Sequence, residues 1–115
     1  MIDSQALSSL VATTLDDYKA QDIVEMDISA VSSLTDRMIV CTATSGRHAK
    51  SLADKAWVAA KEAGVTPIGQ EGDDVSGWFL LDLDAVIVHI MLADKRDYYQ
   101  IEDLWKLTPG ESDAA

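Results

Sequence analysis

A chain of 115 residues that is 48% hydrophobic supports one domain with one modest core, which argues against disorder. Twenty acids against nine bases give a net charge of −11, which disfavours phosphate-led nucleic-acid binding and anionic membrane surfaces. It favours a basic protein as partner, while also serving solubility. No apolar run approaches the roughly 20 residues of a membrane span. The start Met1-Ile2-Asp3-Ser4 lacks a signal-peptide pattern, early Asp16 and Asp17 argue against a transit peptide, and the lone Cys41 makes no internal disulfide. A reducing cytosol is the expected, cytoplasmic setting.

Residues 4–19 place Leu7, Leu10, Val11, Leu15 and Tyr18 three and four apart, the stripe of an amphipathic helix that Asp3 or Ser4 can cap. Asp22 to Ile28 reads as a strand and Ser29 to Asp36 as a polar loop. The unbroken apolar run Met38 to Ala43 reads as a central strand buried on both faces. Thr44-Ser45-Gly46 opens a second helix, with Ser45 as N-cap, an inner stripe of Ala49, Leu52, Ala53, Ala56, Ala60 and Ala63, and Gly64 at its end. Trp57 lies beside that stripe as a packing residue. Val65 to Ile68 is expected to start a short strand carrying Pro67 at a sheet edge, and Gln70 to Gly77 to form a Gly/Asp loop. Two β runs follow, Trp78 to Asp82 and Val86 to Ile90, then a short aromatic helix over residues 94–107 and a disordered acidic tail over 108–115. The order α-β-β-α-β-β-β-α predicts one α/β (α+β) domain over residues 1–107, with a mixed sheet flanked by helices.

With Leu83-Asp84 as a two-residue turn, Asp82 faces Ala85, Leu80 faces Ile87 and Trp78 faces His89. Strand alternation then sends Phe79, Leu81, Val86, Val88 and Ile90 to the core. The other face carries Trp78, Leu80, Asp82, Ala85, Ile87 and His89. It is mixed, open either to a helix or to a partner. On the terminal helix Tyr98, Ile101 and Trp105 share one side and Tyr99 takes another, so at least one of Trp78, Tyr98 and Tyr99 is expected to be exposed. Large exposed aromatics are common anchors of protein contacts.

The candidate chemistry is thin. Asp82 and Asp84 look like paired metal-binding carboxylates, but they lie too far from Ser45-Gly46 for a nucleotidyltransferase motif and sit at a turn. There is no lysine-bearing phosphate loop. His48, His89 and an acid have no zinc-ligand spacing. A Cys41–His89 nucleophilic pair needs a thiol that lies inside an apolar run, where thiols are usually inert. Ser45, Arg47 and His48 at a helix start suit either a phosphate or simple capping. No catalytic residue, metal site or cofactor is assigned.

One set of residues resembles the ribosomal silencing factor (Iojap) family: Asp22-Ile23-Val24 with Asp27; Asp36; Thr44-Ser45-Gly46-Arg47-His48; Gly64; Glu71-Gly72; Trp78 with Asp82; and His89. Above all there is the run Arg96-Asp97-Tyr98-Tyr99-Gln100-Ile101-Glu102-Asp103-Leu104-Trp105. The likeness covers about residues 4–107; departures are Leu83-Asp84 where members often carry glycine, and a longer tail. The resemblance implies a nucleotidyltransferase-like fold without catalytic acids. It also implies a non-enzymatic regulator that binds a basic large-subunit ribosomal protein on the intersubunit face. There it blocks small-subunit joining and represses translation under nutrient limitation, often as a homodimer. The partner-binding residues expected on this reading are Trp78, Leu80, Asp82, His89, Arg96, Tyr98, Tyr99 and Glu102, without direct contact to nucleic acid or membrane. The alternatives are a nucleotidyltransferase-like enzyme and a large-subunit assembly factor that does not silence.

Overall fold

The computed structural model of the chain describes residues 2–30, 35–73, 75 and 77–93. The expected helix at 94–107, the tail at 108–115, and Arg96, Tyr98, Tyr99 and Glu102 lie outside the described residues. Helix α1 (Ser4–Asp17) starts at Asp3, whose carboxylate accepts the Ala6 N–H at 2.7 Å and satisfies one of the amides a helix start leaves unpaired. Leu7, Val11 and Leu15 are buried along its inner side, and Ser8 donates its hydroxyl to Glu25 at 2.7 Å. The helix ends in a Schellman turn. Ala20 N–H reaches the Leu15 carbonyl at 2.9 Å and Lys19 N–H reaches that of Asp16 at 3.0 Å, with Lys19 at φ +73°.

Strand β1 (Gln21–Asp27) is an edge strand whose register breaks between Gln21 and Val24, where Asp22 takes φ +49°. Strand β2 (Arg37–Ala43) is buried at every position from Met38 to Ala43, as its apolar run predicts for a central strand. Helix α2 (Gly46–Glu62) begins at Ser45, whose hydroxyl accepts the His48 N–H at 3.1 Å. Its inner side is Ala49, Leu52, Ala53, Ala56 and Ala60, all fully buried, so mostly methyl groups separate the helix from the sheet. Trp57 is half-buried and packs against that core. Gly64, at φ +90°, closes the helix in a second Schellman turn with Val65 N–H on the Ala60 carbonyl at 3.0 Å.

The next strand departs from the sequence expectation. β3 is Gly69–Asp73, mostly within the expected loop of Gln70 to Gly77 and not at Val65–Ile68. Val65 is committed to ending α2, and Pro67 has no N–H for a ladder. Pairing begins at Ile68, whose N–H bonds the Asp82 carbonyl at 2.8 Å. β4 (Trp78–Asp82) and β5 (Val86–Leu92) complete a sheet ordered β1-β2-β5-β4-β3. Only β2 and β5 run parallel; the other neighbours are antiparallel.

The hairpin register differs by two residues from the expected one. Asp82 pairs with Ile87, Leu80 with His89 and Trp78 with Met91. Leu83 is a fully buried residue whose N–H bonds the Val86 carbonyl at 2.9 Å, and the turn lies at Asp84 and Ala85. Asp84 adopts φ +72°, its own N–H is held by the Asp82 carboxylate at 3.0 Å, and Ala85 N–H reaches the Leu83 carbonyl. Burying a leucine is worth about 1.5–3 kcal/mol, which outweighs the strain at Asp84, a residue type that tolerates the left-handed region. A shift of two preserves side-chain parity, so Phe79, Leu81, Val86, Val88 and Ile90 reach the core as expected. They join Ile39, Cys41, Ala43 and the inner sides of α1 and α2 in one cluster, while Met26, Ile28, Met38 and Val40 form a smaller one. The molecule is a single α+β domain. Among the described residues no helix is long and apolar enough to cross a membrane.

Candidate functional site

The sheet face turned away from α1 and α2 carries the candidate site. Register sets three cross-strand rows on it: Asp73–Trp78–Met91, Glu71–Leu80–His89 and Gly69–Asp82–Ile87. Trp78 and His89 are therefore diagonal neighbours, a separation large aromatic side chains can span. The Trp78 indole N–H donates to His89 Nδ1 at 3.1 Å, with ring centroids 5.7 Å apart and planes at 39°. An indole nitrogen only donates, so Nδ1 is the acceptor and the imidazole is neutral with its proton on Nε2. Burial acts the same way: His89 is 8% exposed and its pKa is pushed down to about 4 by desolvation. The histidine is a fixed, uncharged strut that sets the orientation of a half-buried tryptophan.

Three acids share this face with the pair. Glu71 and Asp73 are exposed and Asp82 is half-buried, and β3, β4 and β5 contain no Lys or Arg. A groove of about 250 Å³ lies along Trp78, lined by Glu71, Gly72, Trp78 and Leu80. Gly72 is required there by geometry. It sits at φ +108°, and a Cβ on it would collide with the Trp78 carbonyl oxygen and fall 2.8 Å from Phe79 Cα. The close approach of β3 to β4 at Trp78 thus depends on a missing side chain.

Of the residues expected to bind a partner, Trp78, Leu80, Asp82 and His89 share this one face. Leu80 is half-buried, Asp82 also shapes the turn through Asp84, and His89 supports the face from below more than it presents itself. Glu71, Gly72 and Asp73 were not singled out as site residues. Finding them requires placing β3, whose polar sequence reads as loop.

The other candidate constellations come apart. Cys41 and His89 sit on adjacent strands but on opposite faces, since Cys41 pairs with Ile90 and His89 with Val40. No thiol–imidazole pair can form there. His48 lies on the helix side, far from joining His89. Its Nδ1 accepts the Thr44 N–H at 3.0 Å and its Nε2 bonds the Tyr18 carbonyl at 2.8 Å, so it clamps the end of α1 to the start of α2. Ser45 is occupied in capping. Among the described residues, no three His, Cys, Asp or Glu side chains gather as metal ligands would.

Comparison with known proteins gives a consistent result. A family model described as ribosomal silencing factor during starvation matches residues 1–114. A ribosomal silencing factor from Chromobacterium violaceum is 46% identical over 104 residues, covering 90% of this chain and 85% of the relative. One from Haemophilus influenzae is 44% identical over 100 residues, covering 87% and 98%. A crystal structure of a Chromobacterium violaceum protein, 46% identical, superposes with a TM-score of 0.87 over 90% of this chain and 87% of that one.

Proposed function

The chain belongs to the ribosomal silencing factor family, and from that premise we propose that it docks on a basic protein of the large ribosomal subunit through the Trp78 face and blocks joining of the small subunit. The observation that carries this reading is the Trp78–His89 pair on the face that also carries Glu71, Asp73 and Asp82. A tryptophan already held in one orientation loses little freedom on binding, and such residues dominate interface energies. Glu71, Asp73 and Asp82 supply charge opposite to a basic partner, and the net charge of −11 supports rapid encounter. The block needs no bond making or breaking; a folded body seated on the joining surface is sufficient. Repression of translation when nutrients are scarce follows from fewer joined ribosomes.

The test is cosedimentation with purified large subunits. Trp78→Ala should weaken binding by about 2 kcal/mol or more, with circular dichroism confirming the fold. Trp78→Phe should recover part of the loss, because an aromatic ring remains without the N–H to His89. Wild-type binding by a folded Trp78→Ala protein would remove this face from the interface.

A further inference from the structure

We propose that the groove beside Trp78 is a receptor for a single arginine side chain of the ribosomal partner, with Glu71 as the residue that selects its charge. The proposal rests on the docking face described above and names what enters it. Four features of the groove converge. Its volume, about 250 Å³, lies below the range of about 300–1,000 Å³ typical of small-molecule sites, so it fits one inserted side chain and not a helix or a nucleotide. Its wall is apolar and aromatic, from Leu80 and Trp78, which suits the aliphatic stem of a long side chain. Its edge carries the Glu71 carboxylate, exposed and one cross-strand position from Leu80. Gly72 also lines it, and its lack of a Cβ is what lets β3 lie this close to the β4 backbone at Trp78.

An apolar aromatic wall ending at a carboxylate matches a guanidinium better than an ammonium. The guanidinium is planar, stacks on indole, is less strongly hydrated and can meet a carboxylate through two parallel N–H groups. The His89 bond sets the orientation of the indole beside the groove. Asp73 and Asp82 flank the groove on the same face and raise the local negative potential without lining it.

Binding kinetics on immobilised large subunits separate this role from general charge steering. A steering charge changes association, whereas a group that holds a docked side chain changes dissociation. Glu71→Gln should speed dissociation about 10-fold and leave association within about twofold. Glu71→Lys should reduce affinity about 100-fold or more. Asp84→Asn, at an exposed turn outside the groove, should be within about twofold of wild type in both rates. Three results would overturn the proposal: unchanged dissociation in Glu71→Gln, equal effects of Glu71→Gln and Asp84→Asn, or normal binding by Glu71→Lys. If Trp78→Ala still abolishes binding in those cases, the docking face stands and only the arginine receptor falls. If Trp78→Ala also binds normally, both readings fail together.

Discussion

Acidification should destabilise this fold through His89, and the size of the effect follows from its surroundings. The imidazole has its pKa pushed down to about 4 in the folded chain, against an ordinary 6.5 when unfolded. The unfolded chain therefore binds the proton more readily. Stability is complete above about pH 6.5 and is lost as pH falls toward 4, because protonation favours the unfolded state. Integrated from pH 7.5 to pH 5, the single site should cost about 2 kcal/mol. The Trp78 N–H works in the same direction, since protonation of Nδ1 ends its bond to His89. Urea denaturation at the two pH values measures the loss. His89→Asn keeps an acceptor near the Nδ1 position and cannot titrate, so the carboxylates common to both proteins cancel in the difference. Wild type should lose about 2 kcal/mol more than His89→Asn between pH 7.5 and 5. Equal losses in the two proteins would refute the claim that His89 is held neutral by burial.

Two further substitutions test the backbone around the site and the helix ends. Gly72→Ala places a Cβ against the Trp78 carbonyl at a positive φ, so thermal melting should show a loss of at least about 2 kcal/mol, accompanied by weakened large-subunit binding; a wild-type melting curve would contradict the close approach of β3 and β4. Lys19→Gly removes the left-handed strain in the α1 Schellman turn and should stabilise by about 0.5–1 kcal/mol, read as a higher urea midpoint; a destabilised protein would show that Lys19 contributes more than its backbone.

The parts of the fold that follow periodic rules were legible in the sequence. The α2 stripe, its Ser45 cap and its Gly64 stop each depend on local spacing, and each is where local spacing places it, apart from Ala63, which is the half-buried cap at the helix end instead of part of the stripe. The same holds for β2, whose apolar run needs cover on both faces. The hairpin shows where local rules stop. Parity alone assigned Phe79, Leu81, Val86, Val88 and Ile90 correctly, but register depended on whether Leu83 turned or packed, which only the assembled core decides. β3 was missed because an exposed edge strand is held by backbone pairing, and Gly69-Gln70-Glu71-Gly72-Asp73 carries no apolar alternation to report it. The site shared that limit: Trp78, Leu80, Asp82 and His89 are visible as one strand face, whereas the Glu71 and Gly72 side of the groove exists only once β3 is in place.

Order of addition in a light-scattering assay of subunit joining tests the central claim most directly. Under conditions where joined ribosomes do not dissociate, protein added to large subunits before mixing should suppress joining, and the same amount added afterwards should leave the signal unchanged. Trp78→Ala should fail to suppress joining in the first order. Equal inhibition in both orders, or full inhibition by a folded Trp78→Ala protein, would contradict occlusion through this face.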